Sequence, residues 1–216
     1  MATLYSEKSD HYYEGTRGFL IDLIPIGPNK LLELGCAKGY SLWAAKESGR
    51  ASEIVGIDIL EPEESHTRLD RYIKNNSDDI DLDFPAGYFD VVLCADVLEH
   101  FVNPWQAVRQ VCFYLKPGGL LVASIPNIRF YKALLEIAIF GNFGYKGDGG
   151  IFDRTHLRFF CKKNMADMFR DAGLEVVSFC YKTSLFYRLV NLITFGAAEE
   201  LVVRQYAVVL RKPHNS

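Results

Sequence analysis

The sequence predicts an α/β fold built on one doubly wound sheet with helices on both faces. Short apolar runs alternate with amphipathic stretches along the chain, which is the pattern of strands separated by helical crossovers. Some of these runs, such as residues 89–95, are almost entirely apolar and indicate strands buried on both faces. The chain has 216 residues, of which 49% are hydrophobic and 24% charged. This length and composition suit a single domain over residues 1–216, with a core that needs no disulfide.

The first half of the chain predicts helices and strands with recognisable ends. Helices are expected at residues 15–24, 40–48 and 105–115, and strands at 30–34, 53–59 and 89–95, with a weaker signal at 68–73. Pro25 ends the first helix, and Pro104 suits the first turn of the third. The segment Lys116-Pro117-Gly118-Gly119 is a stop signal after that helix.

The second half of the chain contains an interruption of this alternation. A buried strand is expected at residues 120–125. Residues 127–160 then combine an apolar, helix-like stretch with a glycine-rich one, and this segment is a candidate cap or lid insertion. A helix at residues 162–172 follows, capped by Gly173. The last predicted strands are 174–181 and 201–210, separated by residues 183–196.

The charge balance and the cysteines exclude several classes of protein. Lys and Arg number 24 against 27 Asp and Glu, a net charge of −3, so no nucleic-acid partner is expected. The five cysteines are scattered and none has zinc-ligand spacing, so we expect neither a disulfide framework nor a metal. The polar N-terminus lacks a signal-peptide pattern, which favours a reducing, cytoplasmic location.

Two apolar segments, residues 130–143 and 185–195, are too short to span a bilayer. Buried helices are the commoner explanation of such segments. An apolar ligand pocket or a peripheral contact with a membrane surface would also explain these segments. The oligomeric state is left open between monomer and homodimer.

The stretch at residues 31–39 is the most informative, because an apolar strand leads through Gly35 and Gly39 into a helix. Glycines allow a positive φ and a close approach to a ligand, and the helix N-terminus offers unpaired N–H groups. An ordinary strand–helix turn would look the same. Asp58 strengthens the signal, because it ends the next strand where a carboxylate can accept ribose hydroxyls. The pair indicates a nucleoside cofactor, although the glycine spacing departs from the pyrophosphate-binding form.

Four segments, taken together, resemble the class I S-adenosylmethionine-dependent methyltransferases. They follow the order and spacing of that family: Glu33-Leu-Gly-Cys-Ala-Lys-Gly39, Val55-Gly-Ile-Asp58, and residues 89–100 and 115–122. Residues 124–127 and 153–160 resemble a bacterial small-molecule subgroup that is related to methyltransferases of quinone biosynthesis and polysaccharide pathways. The resemblance covers nearly the whole chain. It implies a Rossmann-like sheet of seven strands, mostly parallel with the last strand antiparallel.

The resemblance also implies where S-adenosylmethionine binds. The implied residues, in chain order, are Arg17, Glu33, Gly35, Cys36, Ala37, Gly39, Asp58, Ile59, Asn76, Ser77, Ala95 and Asp96. Residues 33–39 would surround the methionine part, and Asp58 would hold the ribose. Asn76 stands where the family usually has an aspartate for the adenine amino group. Arg17 would pair with the cofactor carboxylate, or else belong to a plain packing helix.

Two histidines are candidate catalytic groups. Methyl transfer from a sulfonium needs alignment and exclusion of water, and a base helps when the acceptor is a hydroxyl. His100 follows the strand at residues 89–95 and titrates in a useful range, although it could merely shape the loop. His156 lies in a polar group that could line the acceptor pocket or anchor the insertion by salt bridges. The candidate acceptor-binding residues are Asp153, Arg154, Arg158 and Tyr145.

The sequence therefore predicts a methyltransferase that acts on a small-molecule acceptor, with oxygen as the expected methylated atom. A nicotinamide-dependent oxidoreductase is disfavoured by the glycine spacing and by the lack of a suitable Tyr-x-x-x-Lys relay. A non-catalytic cofactor-binding or regulatory protein with this fold stays open as an alternative. The acceptor is left open, because residues 127–160 and 183–196 carry no diagnostic motif.

Overall fold

The centre of the protein is a seven-stranded sheet, seen in a computed structural model that describes residues 17–75, 79–147, 149–182 and 184–214. Its strands are β1 (Lys30–Leu34), β2 (Glu53–Asp58), β3 (Arg71–Lys74), β4 (Phe89–Ala95), β5 (Leu115–Pro126), β6 (Glu175–Cys180) and β7 (Gln205–Arg211). They lie in the order β3-β2-β1-β4-β5-β7-β6, with β7 antiparallel to β5 and β6 and the other pairs parallel. The predicted Rossmann-like α/β fold is confirmed, including its antiparallel last strand.

The helices of the described residues lie on both faces of this sheet or above one edge. They are α1 (Gly18–Ile21), α2 (Tyr40–Glu47), α3 (Pro104–Tyr114), α4 (Tyr131–Ala138), α5 (Lys162–Asp171), α6 (Leu185–Ile193) and α7 (Glu199–Val202), with 3₁₀ turns at Glu64–Arg68 and Leu98–His100. The start of α3 follows its sequence signals closely. Pro104 is its first residue, and the Asn103 side chain accepts a hydrogen bond from the Gln106 N–H.

Two boundaries differ from the sequence prediction. Strand β5 begins at Leu115 rather than 120, because Leu115 pairs with Phe89 and the register shifts across the Pro-Gly-Gly segment, where Gly118 has φ +80°. Gly118 donates to the carbonyl of Lys212, and the Lys212 N–H donates to Gly119. The predicted strand over residues 201–210 begins only at Gln205, since the chain before it forms α7. A short apolar run does not distinguish a helical turn from a strand.

Alternate residues of β1 point into two separate cores. Leu32 belongs to the core formed with α3 and α5, whereas Leu31 belongs to the core formed with α1 and α2. Both leucines have no exposed surface. This alternation explains why the strand is apolar on both faces, as expected of a parallel sheet covered by helices.

One edge of the sheet collects the residues that follow the parallel strands. Gly35 follows β1, Asp58 ends β2, Asp96 follows β4 and Asn127 follows β5. Because β7 is antiparallel, its first residue, Gln205, lies at the same edge. Strand β1 lies between β2 and β4, so the chain order reverses there, and ligands of such sheets bind at this reversal.

The segment 127–160 carries helix α4 and packs back on the sheet through a bridge between Asn127 and Phe160. Much of the apolar surface of the segments 130–143 and 185–195, which contain α4 and α6, faces outward. The exposed fraction is 72% for Phe140, 80% for Leu185 and 98% for Phe195. The interpretation of the two apolar segments as buried helices is therefore wrong for much of their length.

Two further sequence expectations bear on the chain as a whole. Within the described ranges, no helix combines the length and apolar character needed to cross a membrane. All five cysteines are free thiols, as their spacing predicted.

Gly35 and Gly49 form a matched pair for testing the packing of the loop after β1. Their φ angles are +73° and +71°, but a Cβ on Gly35 would lie 2.5 Å from Val97 Cγ2, whereas one on Gly49 meets nothing within 4 Å. Gly49→Ala should lower the free energy of unfolding by about 1–2 kcal/mol through backbone strain. Gly35→Ala should lower the free energy of unfolding by ~1–3 kcal/mol more than Gly49→Ala does, because the new Cβ overpacks against Val97. Urea denaturation measures both, and equal losses would contradict the close contact with Val97.

Candidate active site

A buried acid, Glu33, lies in β1 one residue before the strand ends. It is 2% exposed, and its Oε2 atom makes no hydrogen bond. Burial raises the pKa of this carboxyl to about 8; Arg17 opposes that rise and Asp58 adds to it. Burying a carboxyl without a hydrogen-bond partner destabilises the folded protein. A ligand with a cationic or hydrogen-donating group would supply that partner and remove this cost. Glu33 is therefore fitted to such a ligand.

Asp58 ties the end of β2 to the loop after β1. Its Oδ2 accepts the Ala37 N–H at 2.7 Å, and its Oδ1 accepts the Leu60 N–H at 3.1 Å. Burial raises the pKa of Asp58, and these N–H groups oppose the rise. A carboxylate oxygen can accept more than one hydrogen bond, so Asp58 can also accept hydrogen bonds from ribose hydroxyls.

His66 holds the other side of the same loop, a role that the sequence prediction missed. Its Nδ1 accepts the Glu63 N–H at 2.8 Å, so the proton lies on Nε2, which donates to the Ala37 carbonyl at 2.6 Å. The ring is buried and stacks on Tyr72 at 3.9 Å between centroids. Ala37 has φ +47°, an uncommon value for a residue with a side chain. Asp58 and His66 together hold it there.

The remaining predicted cofactor residues are placed as follows. Cys36 is buried, and its N–H donates to the Ile57 carbonyl at 3.1 Å; burial raises the pKa of its thiol well above the usual value. Gly39 is the left-handed cap of α2, Ile59 is half-buried beside Asp58, and Ala95 is buried. Asn76 and Ser77 lie outside the described residues. Their assignment to the adenine therefore stays a prediction.

Asp96 organises the edge between β4 and β5. It accepts the Ser124 hydroxyl at 2.6 Å and the Gln205 amide, and it forms an ion pair with Arg17 at 2.5 Å. Its own φ is +50°. The sequence prediction paired Arg17 with the carboxylate of a cofactor. In the structure its guanidinium contacts Asp96, and its pairing with the cofactor stays a prediction.

A cavity of about 200 Å³ opens beside Asp96. Its walls are Arg17, Asp96, Glu99, Pro126, Gly149, Gly150, Ile151, Asp153, His156, Arg204 and Gln205. The predicted residues Asp153 and His156 are among them. Arg204 and Gln205 were not predicted as site residues, because only the antiparallel course of β7 brings them to this edge.

Three residues predicted to bind the acceptor lie elsewhere. Arg158 donates to the carbonyls of Leu157 at 3.1 Å and Val102 at 2.5 Å, so its guanidinium holds the backbone. Arg154 is exposed, and Tyr145 is 56% exposed. None of the three lines the cavity among the residues described.

Glu99, His100 and His156 form a polar cluster at the cavity wall. The Nε2 atom of His156 lies 3.8 Å from Glu99 Oε1, and the rings of His156 and His100 meet edge to face at 4.8 Å. Each histidine directs Nδ1 at a carbonyl, His100 at Thr155 and His156 at Ile151. Each ring therefore carries a proton on Nδ1, which it donates to that carbonyl.

Glu99 differs from the two histidines because its side chain makes no hydrogen bond. It is 1% exposed, and neither of its carboxyl oxygens has a hydrogen-bond partner. Burial and then the charge of Asp96 raise its pKa well above the usual value. One ligand atom from each of Glu99, His100 and His156 lies within 4.8 Å of the others, a spacing that suits one cation. The sequence expectation of no metal thus needs a direct test.

Comparison with known proteins identifies the family. The profile of a family described as a methyltransferase domain matches residues 11–179. The chain belongs to the class I S-adenosylmethionine-dependent methyltransferases. S-adenosylmethionine is therefore the methyl donor, and the buried carboxyl of Glu33 and the Asp58-bound loop fit its ammonium and ribose groups. The comparisons give no support to the oxidoreductase or the non-catalytic alternative.

Curated relatives and solved structures resemble this methyltransferase over most of its length. A ubiquinone biosynthesis O-methyltransferase of Thiobacillus denitrificans is 32% identical over 70% of this chain and 66% of its own. One from Saccharophagus degradans is 30% identical over 73% and 68%. The chain thus spans about two thirds of these relatives. A methyltransferase structure from Archaeoglobus fulgidus covers 98% of this chain and 99% of its own with TM-score 0.65 and 17% identity, which shows the fold.

The position of His66 predicts a role in cofactor affinity. His66→Phe keeps a ring on Tyr72 but removes both backbone hydrogen bonds, each worth about 1 kcal/mol. The loop at Ala37 should lose its preset conformation, and the Kd for S-adenosylhomocysteine should rise about tenfold. Isothermal titration calorimetry measures this, with His214→Phe, an exposed histidine, as the control. Unchanged affinity in the His66 variant would show that the loop holds without it.

The raised pKa of Glu33 predicts pH-dependent stability. This side chain titrates near 4.5 when unfolded and near 8 when folded, so the folded state binds more protons between these values and loses stability as the pH rises. Relative to the wild type, Glu33→Gln should therefore gain up to about 1.4 kcal/mol for each unit between about pH 5 and 8. Urea denaturation along this series is the measurement. Glu47→Gln, at an exposed site, should show no such trend, and parallel curves for Glu33→Gln would contradict the shift.

Proposed function

We propose that this methyltransferase transfers the methyl group of S-adenosylmethionine to a hydroxyl oxygen of a small molecule. The observation that carries the proposal is the cavity beside Asp96, whose wall holds the pair His156 and Glu99. An oxygen acceptor must lose a proton as it is methylated, and this pair can take it. A volume of about 200 Å³ suits a compact acceptor.

The chain's residues divide the work between proton transfer and positioning. In this proposal the acceptor proton passes to His156 Nε2, and the bond from its Nδ1–H to the Ile151 carbonyl fixes the ring. Glu99 lies beside it, so its carboxylate would stabilise the imidazolium that forms. Asp96, held by Arg17 and Ser124, fixes the wall next to the methyl donor. His100 packs on His156 and supports its orientation.

The donor supplies an activated methyl group on a sulfonium, which an oxygen attacks in line. Alignment and exclusion of water supply most of the acceleration in such a transfer. Residues 149–156 of the segment 127–160 form one wall of the cavity. We infer that this segment is the cap of a single-domain enzyme and closes over the acceptor, as the sequence suggested.

The class of acceptor is supported by the relatives. Both curated relatives reported above are named as O-methyltransferases of ubiquinone biosynthesis. A hydroxylated aromatic ring is accordingly the acceptor we propose. The net charge of −3 supports a small-molecule acceptor over a nucleic acid, and the free thiols agree with a cytoplasmic location.

Replacement of His156 tests the proposed reaction. With catechol as acceptor, His156→Gln should lower kcat by about 10²- to 10⁴-fold and leave the Kd for S-adenosylhomocysteine unchanged. His214→Gln is the matched control. Mass spectrometry should find the methyl group on oxygen. A methyl group on nitrogen or carbon, or no turnover with any hydroxylated ring, would contradict the proposal.

A chelator separates the two chemistries open to the Glu99, His100 and His156 cluster. Activity that survives EDTA assigns the group to proton transfer. Activity that is lost with EDTA and restored by Mg²⁺ or Zn²⁺ assigns it to a bound cation.

A further inference from the structure

We propose that Arg204 binds an anionic group of the acceptor, so that the substrates of this enzyme carry a carboxylate or a similar acid. The inference rests on the proposed function, because it assigns the cavity beside Asp96 to the acceptor. Arg204 lines that cavity at the start of β7. Its guanidinium lies against Gly150, since a Cβ on that glycine would be 3.6 Å from Arg204 Nη2.

The backbone of Arg204 is held in place by a buried asparagine. The Arg204 carbonyl accepts the Asn127 N–H at 2.9 Å. The Asn127 side chain, which has no exposed surface, donates to the carbonyls of Glu200 and Val203 at 2.7 and 2.8 Å. The turn from α7 into β7 is thereby fixed to the end of β5. A guanidinium on a fixed backbone loses less conformational freedom when it binds a ligand.

Arg204 has no acidic partner, although acids are close in sequence. Glu199 pairs with Lys162 at 2.5 Å, and Glu200 pairs with Arg129 at 2.6 Å. Throughout the described ranges, no hydrogen bond or ion pair is formed by the Arg204 guanidinium. Both neighbouring carboxylates are thus neutralised by other cations, and the charge of Arg204 stays uncompensated.

The acidic residues of the cavity wall do not form an ion pair with Arg204 either. Asp96 is paired with Arg17, and Glu99 Oε1 lies 3.8 Å from His156 Nε2. Asp153 has no exposed surface and accepts both the N–H and the hydroxyl of Thr155, at 2.8 and 2.7 Å. The exposed Arg204 guanidinium therefore has no ion pair with an acid of the described cavity wall.

The location of Arg204 favours the acceptor over the donor as its ligand. The cavity is lined by residues 149–156 of the cap and by no residue of the loop 33–39 or of β2. Guanidinium groups bind carboxylates through paired, charge-assisted hydrogen bonds. A carboxylate is the simplest acid that a single-ring acceptor can carry, and it would direct its hydroxyls towards His156.

A pair of probes that differ only in the carboxylate tests this inference. The enzyme is saturated with S-adenosylhomocysteine and titrated with 3,4-dihydroxybenzoate and with catechol by calorimetry. Wild type should bind the benzoate more tightly. Arg204→Gln should weaken benzoate binding about ten- to hundredfold and leave catechol binding unchanged. Arg204→Lys should lie between, and Arg211→Gln, exposed at the other end of β7, should match wild type.

Three results would overturn the inference. They are equal affinity of wild type for the two probes, equal weakening of both probes by Arg204→Gln, and loss of S-adenosylhomocysteine affinity in that variant, which would assign Arg204 to the donor. Methylation is measured separately. Carboxylate-selective binding that depends on Arg204, with no methylated product from either probe, supports this inference and counts against the O-methylation proposal.

Discussion

The parallel pairing of β1 between β2 and β4 is the constraint on which the rest of the site depends. Parallel strands end at the same edge, so one arrangement of hydrogen bonds places Gly35, Asp58 and Asp96 together although they are far apart in the chain. The antiparallel β7 brings its first residues to that edge from the opposite direction. Gly35, Asp58, Asp96 and Arg204 all lie at or next to a strand end at this edge.

Polar groups left without partners mark what this edge is built to bind. Glu33 and Glu99 are carboxyls whose burial raises their pKa, and Arg204 is a cation without an acid. A fold that served stability alone would pair the two buried carboxyls or replace them with apolar groups, whereas Arg204 is exposed. The backbone of Ala37, by contrast, is fully hydrogen-bonded: its N–H donates to Asp58, and its carbonyl accepts from His66. The backbone of the loop after β1 is thus fixed, and we propose that ligands complete the charges at this edge.

The apolar segments 130–143 and 185–195 show where a sequence pattern stops being informative. Apolar spacing correctly indicated helical structure near α4 and α6, but the side chains of Phe140, Leu185 and Phe195 face outward. Periodicity reports which residues share a face and does not report what covers that face. The same limit explains the start of the strand predicted over residues 201–210, where residues 201 and 202 belong to α7 and Asn127 binds the carbonyls of Glu200 and Val203.

The sequence by itself determined the fold class, most strand positions, the glycine loop and Asp58, because these depend on local periodicity, on glycine conformations and on spacing along the chain. Only the tertiary structure decided the partners. Arg17 pairs with Asp96, and His66 donates to the carbonyl of Ala37. Arg158 binds a backbone carbonyl, whereas Arg204 lines the cavity. The physical reason is that charge and hydrogen bonding act through distances of a few ångströms in space. Residues such as Asp96 and Gln205 reach those distances only after the strands have paired.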